Sequence, residues 1–223
     1  MAFGGSGVGR IDGKVVFIPL TAPGEEVRFR VVSDEGRFEK GEVVEVVTPS
    51  SHRVAPRCSV FGSCGGCQWQ HLDYAEQLRS KEMILREALG KVATSFEMLP
   101  IIPADHPWNY RHRIQLKSDG RNIGFYGRGN HQVIPFDECE IADPLLNEEV
   151  KKIRMNQDDL GEEFELYVEQ GVVQRLKLTG SERVFSQVNT LQNQKLRDEV
   201  VDFVFGRAEP AFTRQKNVVE LYA

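Results

Sequence analysis

Over the first fifty positions apolar residues tend to alternate with polar ones, the period of strands and not of helices. Between Glu26 and Val32, Val27, Phe29 and Val31 share one face and charged residues take the other. Lys14-Val15-Val16-Phe17-Ile18-Pro19 is an apolar run after the turn pair Asp12-Gly13, and Pro23-Gly24 marks a second turn. Lys40-Gly41 leads into Val43-Val44-Glu45-Val46-Val47, a further strand. Several short strands in so few residues predict a small OB-like β-barrel over 1–49. Gly4-Gly5-Ser6-Gly7-Val8-Gly9 has the look of a phosphate loop, but no strand precedes it and no helical pattern follows. It reads better as the start of a strand.

The pattern changes after Pro49-Ser50-Ser51. A helix is predicted over 73–90, opened by Asp73-x-x-Glu76 and stopped at Gly90. Ala75, Leu78, Leu85, Ala88 and Leu89 repeat at helical spacing, which leaves Gln77, Arg79, Lys81 and Arg86 for water. From Ile101 the alternation returns in Arg113–Lys117, then Asn122–Tyr126 after the turn Asp119-Gly120, then Gln132–Phe136. A short helix is expected over Leu146–Met155. A hairpin is expected from Glu163–Gln170 and Val173–Thr179, and a last helix over about 191–205 with Asn189 as its cap. Asn217–Ala223 has a buried-strand pattern that stops with the chain, so a fragment of a longer protein is expected. The fold class is β-rich α+β, with a mixed α/β central domain over 50–215 and the first strand of another domain over 216–223.

Composition narrows the functional classes. With 223 residues and 40% apolar side chains, the chain can bury one large core or two small ones. No apolar run reaches the ~18–20 residues that span a bilayer, and Met1–Gly13 has no secretory apolar segment. A cytoplasmic location without membrane contact is therefore expected, and there thiols stay reduced. The net charge of -5 excludes a uniformly basic nucleic-acid binder. Yet residues 108–131 hold five Arg or Lys against one Asp, so a polyanion would be met there.

Three of the four cysteines lie in Cys58-x5-Cys64-x2-Cys67, and the fourth is Cys139. In a reducing compartment they read as ligands, with either zinc or an iron–sulfur cluster accepting four thiolates. Buried thiols without a ligand are the plainer alternative. Gly65-Gly66 lets the chain turn tightly where a Cβ would crowd the centre. Trp108-Asn109-Tyr110-Arg111-His112-Arg113, continued by Lys117, Arg121, Phe125, Tyr126 and Arg128, mixes guanidinium groups with aromatics. Such mixtures grip phosphates and stack on unpaired bases; the plainer reading is a solvated strand face. His71 and His112 have no partner at ligand spacing and read as structural or RNA-facing. No Ser/His/Asp set or paired carboxylate stands out.

Taken together, these pieces resemble the iron–sulfur, TRAM-domain family of RNA (uracil-5-)-methyltransferases. Gly7-Val8-Gly9-Arg10, Gly13-Lys14-Val15-Val16-Phe17 and Pro23-Gly24-Glu25 look like the TRAM barrel. Pro56-x-Cys58-x5-Cys64-Gly65-Gly66-Cys67-Gln68-Trp69-Gln70-His71 looks like the cluster segment. Tyr110-Arg111, Gly124-Phe125-Tyr126 and Cys139 resemble the central domain, and Phe185-Ser186-Gln187-Val188-Asn189 looks like the family's F-x-Q-V-N motif.

The resemblance implies a 4Fe-4S cluster on Cys58, Cys64, Cys67 and Cys139. It implies S-adenosylmethionine near Gln187 and near Tyr222, the latter opening a Rossmann-like methyltransferase domain. It implies RNA as the partner, ribosomal before transfer RNA, gripped through Arg111, Arg113, Lys117 and Arg128 by a monomer. In the family a cysteine adds to carbon 6 of uracil, carbon 5 takes the methyl group, and a carboxylate removes the carbon 5 proton. The four cysteines are all assigned to the cluster, so these residues alone are expected to be inactive. A stand-alone RNA-binding module with an iron–sulfur or zinc site is the alternative from a different class.

Overall fold

The computed structural model describes residues 1–156, 163–178 and 187–205. The first sheet is built from β1 (Ser6–Ile11), β2 (Lys14–Pro19), β3 (Glu26–Asp34) and β4 (Phe38–Thr48), in the order β1-β2-β4-β3. Asp12 and Gly13 both take positive φ, 49° and 82°, so the β1–β2 hairpin has the two-residue turn that matches strand twist. β2 pairs with β4 in parallel, and β3 pairs with β4 antiparallel. No ladder joins β1 to β3 among the described residues, so hydrogen bonding leaves this sheet open at both edges.

The second sheet has five antiparallel strands in the order β7-β6-β5-β8-β9. These are β5 (Arg113–Ser118), β6 (Ile123–Tyr126), β7 (Val133–Pro135), β8 (Phe164–Glu169) and β9 (Val172–Lys177). The β8–β9 hairpin turns at Gln170 and Gly171, both at positive φ. Helix α2 (Pro144–Asn156) covers one face of this sheet. Leu146, Val150 and Ile153 from α2 join Ile114, Leu116, Ile123, Phe136, Phe164 and Leu166 in one buried cluster. Cys139 packs at the edge of that cluster.

Two polar clasps tie the segment between β4 and α1 to the β2–β3 connection. Arg53 donates to both oxygens of Glu25 and to the Leu20 carbonyl (2.8 Å). His71, 1% exposed, donates from Nε2 to the Thr21 carbonyl at 3.0 Å. The ring is therefore the neutral Nε2–H tautomer, and burial holds its pKa below the ordinary value.

Helix α1 (Tyr74–Leu89) begins as the sequence predicts, with Asp73 accepting the Glu76 N–H at 2.7 Å. Its buried face differs from the prediction. Ala75, Leu85 and Ala88 are exposed, whereas Glu76 and Ser80 are buried. The Glu76 carboxylate, 4% exposed, takes Arg79 (2.8 Å) and the Ser80 hydroxyl (2.9 Å) and so is satisfied inside. Helix α3 (Thr190–Phe205), capped by Asn189 through the Gln192 N–H at 3.0 Å, buries no residue among those described. No helix is long and apolar enough to cross a membrane among the described residues.

Candidate metal centre

The cysteine segment is a loop sewn onto the end of β6. The Gly65 N–H donates to the Tyr126 carbonyl (2.9 Å), and the Arg128 N–H to the Ser63 carbonyl (2.9 Å). Cys64 forms a bridge with Gly127. A Cβ on Gly65 would lie 3.1 Å from the carbonyl oxygens of both Tyr126 and Gly127. The close approach to β6, more than crowding at the centre, explains that glycine. Inside the loop, Cys64 N–H donates to Val60 (2.9 Å) and Phe61 N–H to Cys58 (3.1 Å). Gln70, itself buried, accepts the Cys58 N–H at 3.2 Å.

Cys139 arrives from the other direction, just before α2. Asn147, 2% exposed, holds its backbone from both sides. Asn147 Oδ1 accepts the Cys139 N–H (2.9 Å), and Nδ2 donates to the Cys139 carbonyl (3.1 Å). Asn147 escapes a motif search, and Gln70 stands in the cluster segment without its role being visible there. The visible signal is a buried amide, and amides mark buried positions poorly in a sequence.

These two supports bring Cys58, Cys64, Cys67 and Cys139 to the wall of one cavity. The rest of the wall is mostly apolar, with Val60, Phe61, Phe125, Phe136 and Ile141, and its polar groups are Gln70, Arg111 and Glu138. All four cysteines are free thiols. Burial raises the pKa of Cys58 and Cys64 and pushes Cys139 up to about 11. Backbone N–H groups oppose that rise at the same sulfurs. Val60 and Phe61 act on Cys58, Gly66 on Cys64 (3.4 Å), and Ile141 and Ala142 on Cys139. Donors aimed at a sulfur suit a thiolate, although burial outweighs them in the free thiols. Among the described residues, no group of three or more His, Cys, Asp or Glu side chains is placed to hold a metal ion.

The basic-aromatic segment is placed less openly than its composition suggests. Arg113 pairs with Glu165 (3.2 Å) and lies over the Tyr167 ring. Lys117 pairs with Glu163 and lies over Tyr126, its side chain 12% exposed. Arg128 donates to the Cys67 carbonyl at 3.2 Å, and Arg111 lines the cysteine cavity. His112 sits 3.3 Å from Asp143. Arg121 and Arg57 are exposed, and Arg57 stacks on Trp108.

Gln187 is exposed and lies beside this region, because Val188 accepts the His112 N–H (3.1 Å) and Asn189 bridges to Arg111. Phe185, Ser186 and Tyr222 lie outside the described residues.

No protein-family model matches the chain. An uncharacterized RNA methyltransferase of Bdellovibrio bacteriovorus is 36% identical over 213 residues, 91% of this chain and 54% of that protein. One from Thermosynechococcus vestitus is 38% identical over 149 residues, 64% of this chain and 33% of that protein. One from Aquifex aeolicus is 38% identical over 157 residues, 69% of this chain and 37% of that protein. In fold the chain is similar to the Pyrococcus abyssi tRNA (uracil-54, C5)-methyltransferase crystallised with S-adenosyl-L-homocysteine. The TM-score is 0.53 at 24% identity, over 80% of this chain and 44% of that one. The chain is thus related by sequence, over as much as 91% of its length, to bacterial proteins named as RNA methyltransferases, and it spans about half or less of each.

Proposed function

We propose that these residues are the RNA-recognition and cluster-binding part of a cytoplasmic, S-adenosylmethionine-dependent enzyme that methylates carbon 5 of a uridine in RNA. The observation that carries this reading is the meeting of Cys58, Cys64, Cys67 and Cys139, from two separate segments, on one cavity. The names of the sequence relatives support the reaction class.

Cys58, Cys64, Cys67 and Cys139 would hold a 4Fe-4S cluster. Zinc would also accept four thiolates; the resemblance carried by the Cys58–His71 segment favours the cluster. When bound, the cluster would supply a covalent tie between the 58–67 loop and the start of α2. The methyl transfer itself needs no electron transfer.

The first sheet would be the TRAM unit, and residues 50–215 the central domain. The strand and the Tyr222 contact expected over 216–223 lie outside the described residues. Gln187 would reach S-adenosylmethionine from the segment beside Arg111. Of the four cations assigned to RNA, Arg113 and Lys117 already hold Glu165 and Glu163, so a phosphate would have to compete there. With all four sulfurs used as ligands, none remains to attack carbon 6. The nucleophile and the base would lie in the part of the relatives that this chain does not span.

The test is to map 5-methyluridine in ribosomal and transfer RNA from cells lacking the gene. Loss of one modified site, in ribosomal RNA before transfer RNA, is expected. Full retention of every 5-methyluridine would contradict the reading.

A further inference from the structure

Two arginines lie at the cysteine site without a carboxylate partner, Arg111 on the cavity wall and Arg128 beside it against the Cys67 carbonyl. Arg111 is fixed by its backbone, donating to the Ile141 carbonyl (2.8 Å) and accepting from the Asp143 N–H (3.0 Å). Its side chain lines the cavity, and its Nε is buried with no hydrogen-bond partner. Arg128 is held by its backbone to Ser63 and donates one Nη to the Cys67 carbonyl. Its Nε is also buried with no partner. Other sheltered cations have their partners: Arg53 has Glu25, Arg113 has Glu165, Lys117 has Glu163, and Arg154 has the Phe136 and Ile123 carbonyls. Neither Arg111 nor Arg128 has a carboxylate among the described residues. The carboxylate on the cavity wall, Glu138, is exposed.

A guanidinium does not shed its proton in a protein, and a sheltered one without an anion is costly. The sulfurs supply what is missing. Four thiolates on an iron–sulfur core are anionic overall. We propose that Arg111 and Arg128 are the counter-charges of the anionic cluster in this cavity and that they set its reduction potential. The inference rests on the cluster reading given above. Reduction of the cluster adds one electron, taken from an external chemical reductant, and changes no covalent bond of the protein. Two nearby fixed positive charges favour the more negative, reduced state and so raise the potential.

The test uses the 223-residue chain prepared anaerobically, with iron and sulfide measured and the cluster titrated against a chemical reductant by its visible and EPR signals. Arg111→Gln and Arg128→Gln are each expected to lower the midpoint potential by about 60 mV, a tenfold shift of a one-electron equilibrium. Arg111→Lys, which keeps the charge, is expected to stay near the parent value. A loaded Gln variant with an unchanged potential overturns the inference and leaves the cluster reading standing. If a Gln variant fails to load, iron and sulfide retention decides. Loss in Gln with retention in Lys supports the charge role, and loss in both overturns it. A parent chain with neither iron nor sulfide removes the cluster reading itself, and the inference with it.

Discussion

Removal of Arg53 tests the clasp between the segment after β4 and the β2–β3 connection. The Glu25 side chain is 1% exposed and that of Arg53 24%. Arg53→Ala deletes two hydrogen bonds to the Glu25 carboxylate and one to the Leu20 carbonyl. Breaking a buried ion pair from one side costs about 3–5 kcal/mol, because the other charge stays inside. Two circumstances keep the loss near the lower end. Arg53 is partly screened by solvent. Glu25 also keeps the Ala22 N–H (2.8 Å) and the Ser50 N–H (3.2 Å). The expected loss is about 3 kcal/mol, or about 6–12 °C in Tm for a chain of this size. Calorimetric melts at pH 7 would measure it. A variant melting within about 2 °C of the parent would refute the reasoning. The pH dependence supplies a second check. Burial pushes the Glu25 carboxyl up, but Arg53 and the two backbone donors outweigh it and hold the pKa below the ordinary value. Such a depressed carboxyl stabilises fully above its unfolded pKa of about 4.3 and loses that contribution as pH falls through the lower folded value. The gap between parent and Arg53→Ala should therefore close in acid.

Three further outcomes follow from named contacts. The neutral His71 ring stabilises fully above about pH 6.5 and loses its contribution as pH falls through its lower folded pKa. The parent should therefore lose more stability than His71→Gln between pH 7.5 and 5.5 in urea unfolding, and equal slopes would contradict this. In Gly124→Ala the new Cβ meets the Ile134 carbonyl and lies 2.9 Å from the Pro135 nitrogen. A loss of about 2 kcal/mol is expected from this overpacking of the β6–β7 pair, and a melt matching the parent's would exclude it. Asn147→Ala leaves the Cys139 N–H and carbonyl without their partner, at about 1–3 kcal/mol for each buried group. Faster metal loss in a chelator chase should accompany that destabilisation, and an unchanged rate of loss would count against the role of Asn147.

Much of the fold was legible because it is local. Alternation in Glu26–Val32 marks β3, and Gln170-Gly171 marks a hairpin whose two residues take positive φ. The Asp73 cap was legible for the same reason. What escaped depends on partners far along the chain. Apolar spacing put Ala75 and Leu85 inward, yet α1 buries Glu76, whose carboxylate lies 3.9 Å from His52 of the preceding linker. Arg113 and Lys117 read as an exposed basic face. Their acids, Glu165 and Glu163, sit on and beside β8, about fifty residues away, and only the β5–β8 register brings them together. The four cysteines were legible as a ligand set from spacing. The Asn147 support, the contact that Gln70 makes with Cys58, and the placing of Arg111 on the cavity wall and Arg128 against Cys67 required the packed structure.

The central claim is that Cys58, Cys64, Cys67 and Cys139 hold one iron–sulfur cluster. The most direct measurement is iron and acid-labile sulfide in the anaerobically prepared chain, alongside Cys139→Ser. About four iron and four sulfide per chain are expected in the parent, with a marked loss in the variant. A colourless, zinc-loaded parent, or iron and sulfide unchanged by Cys139→Ser, would contradict it.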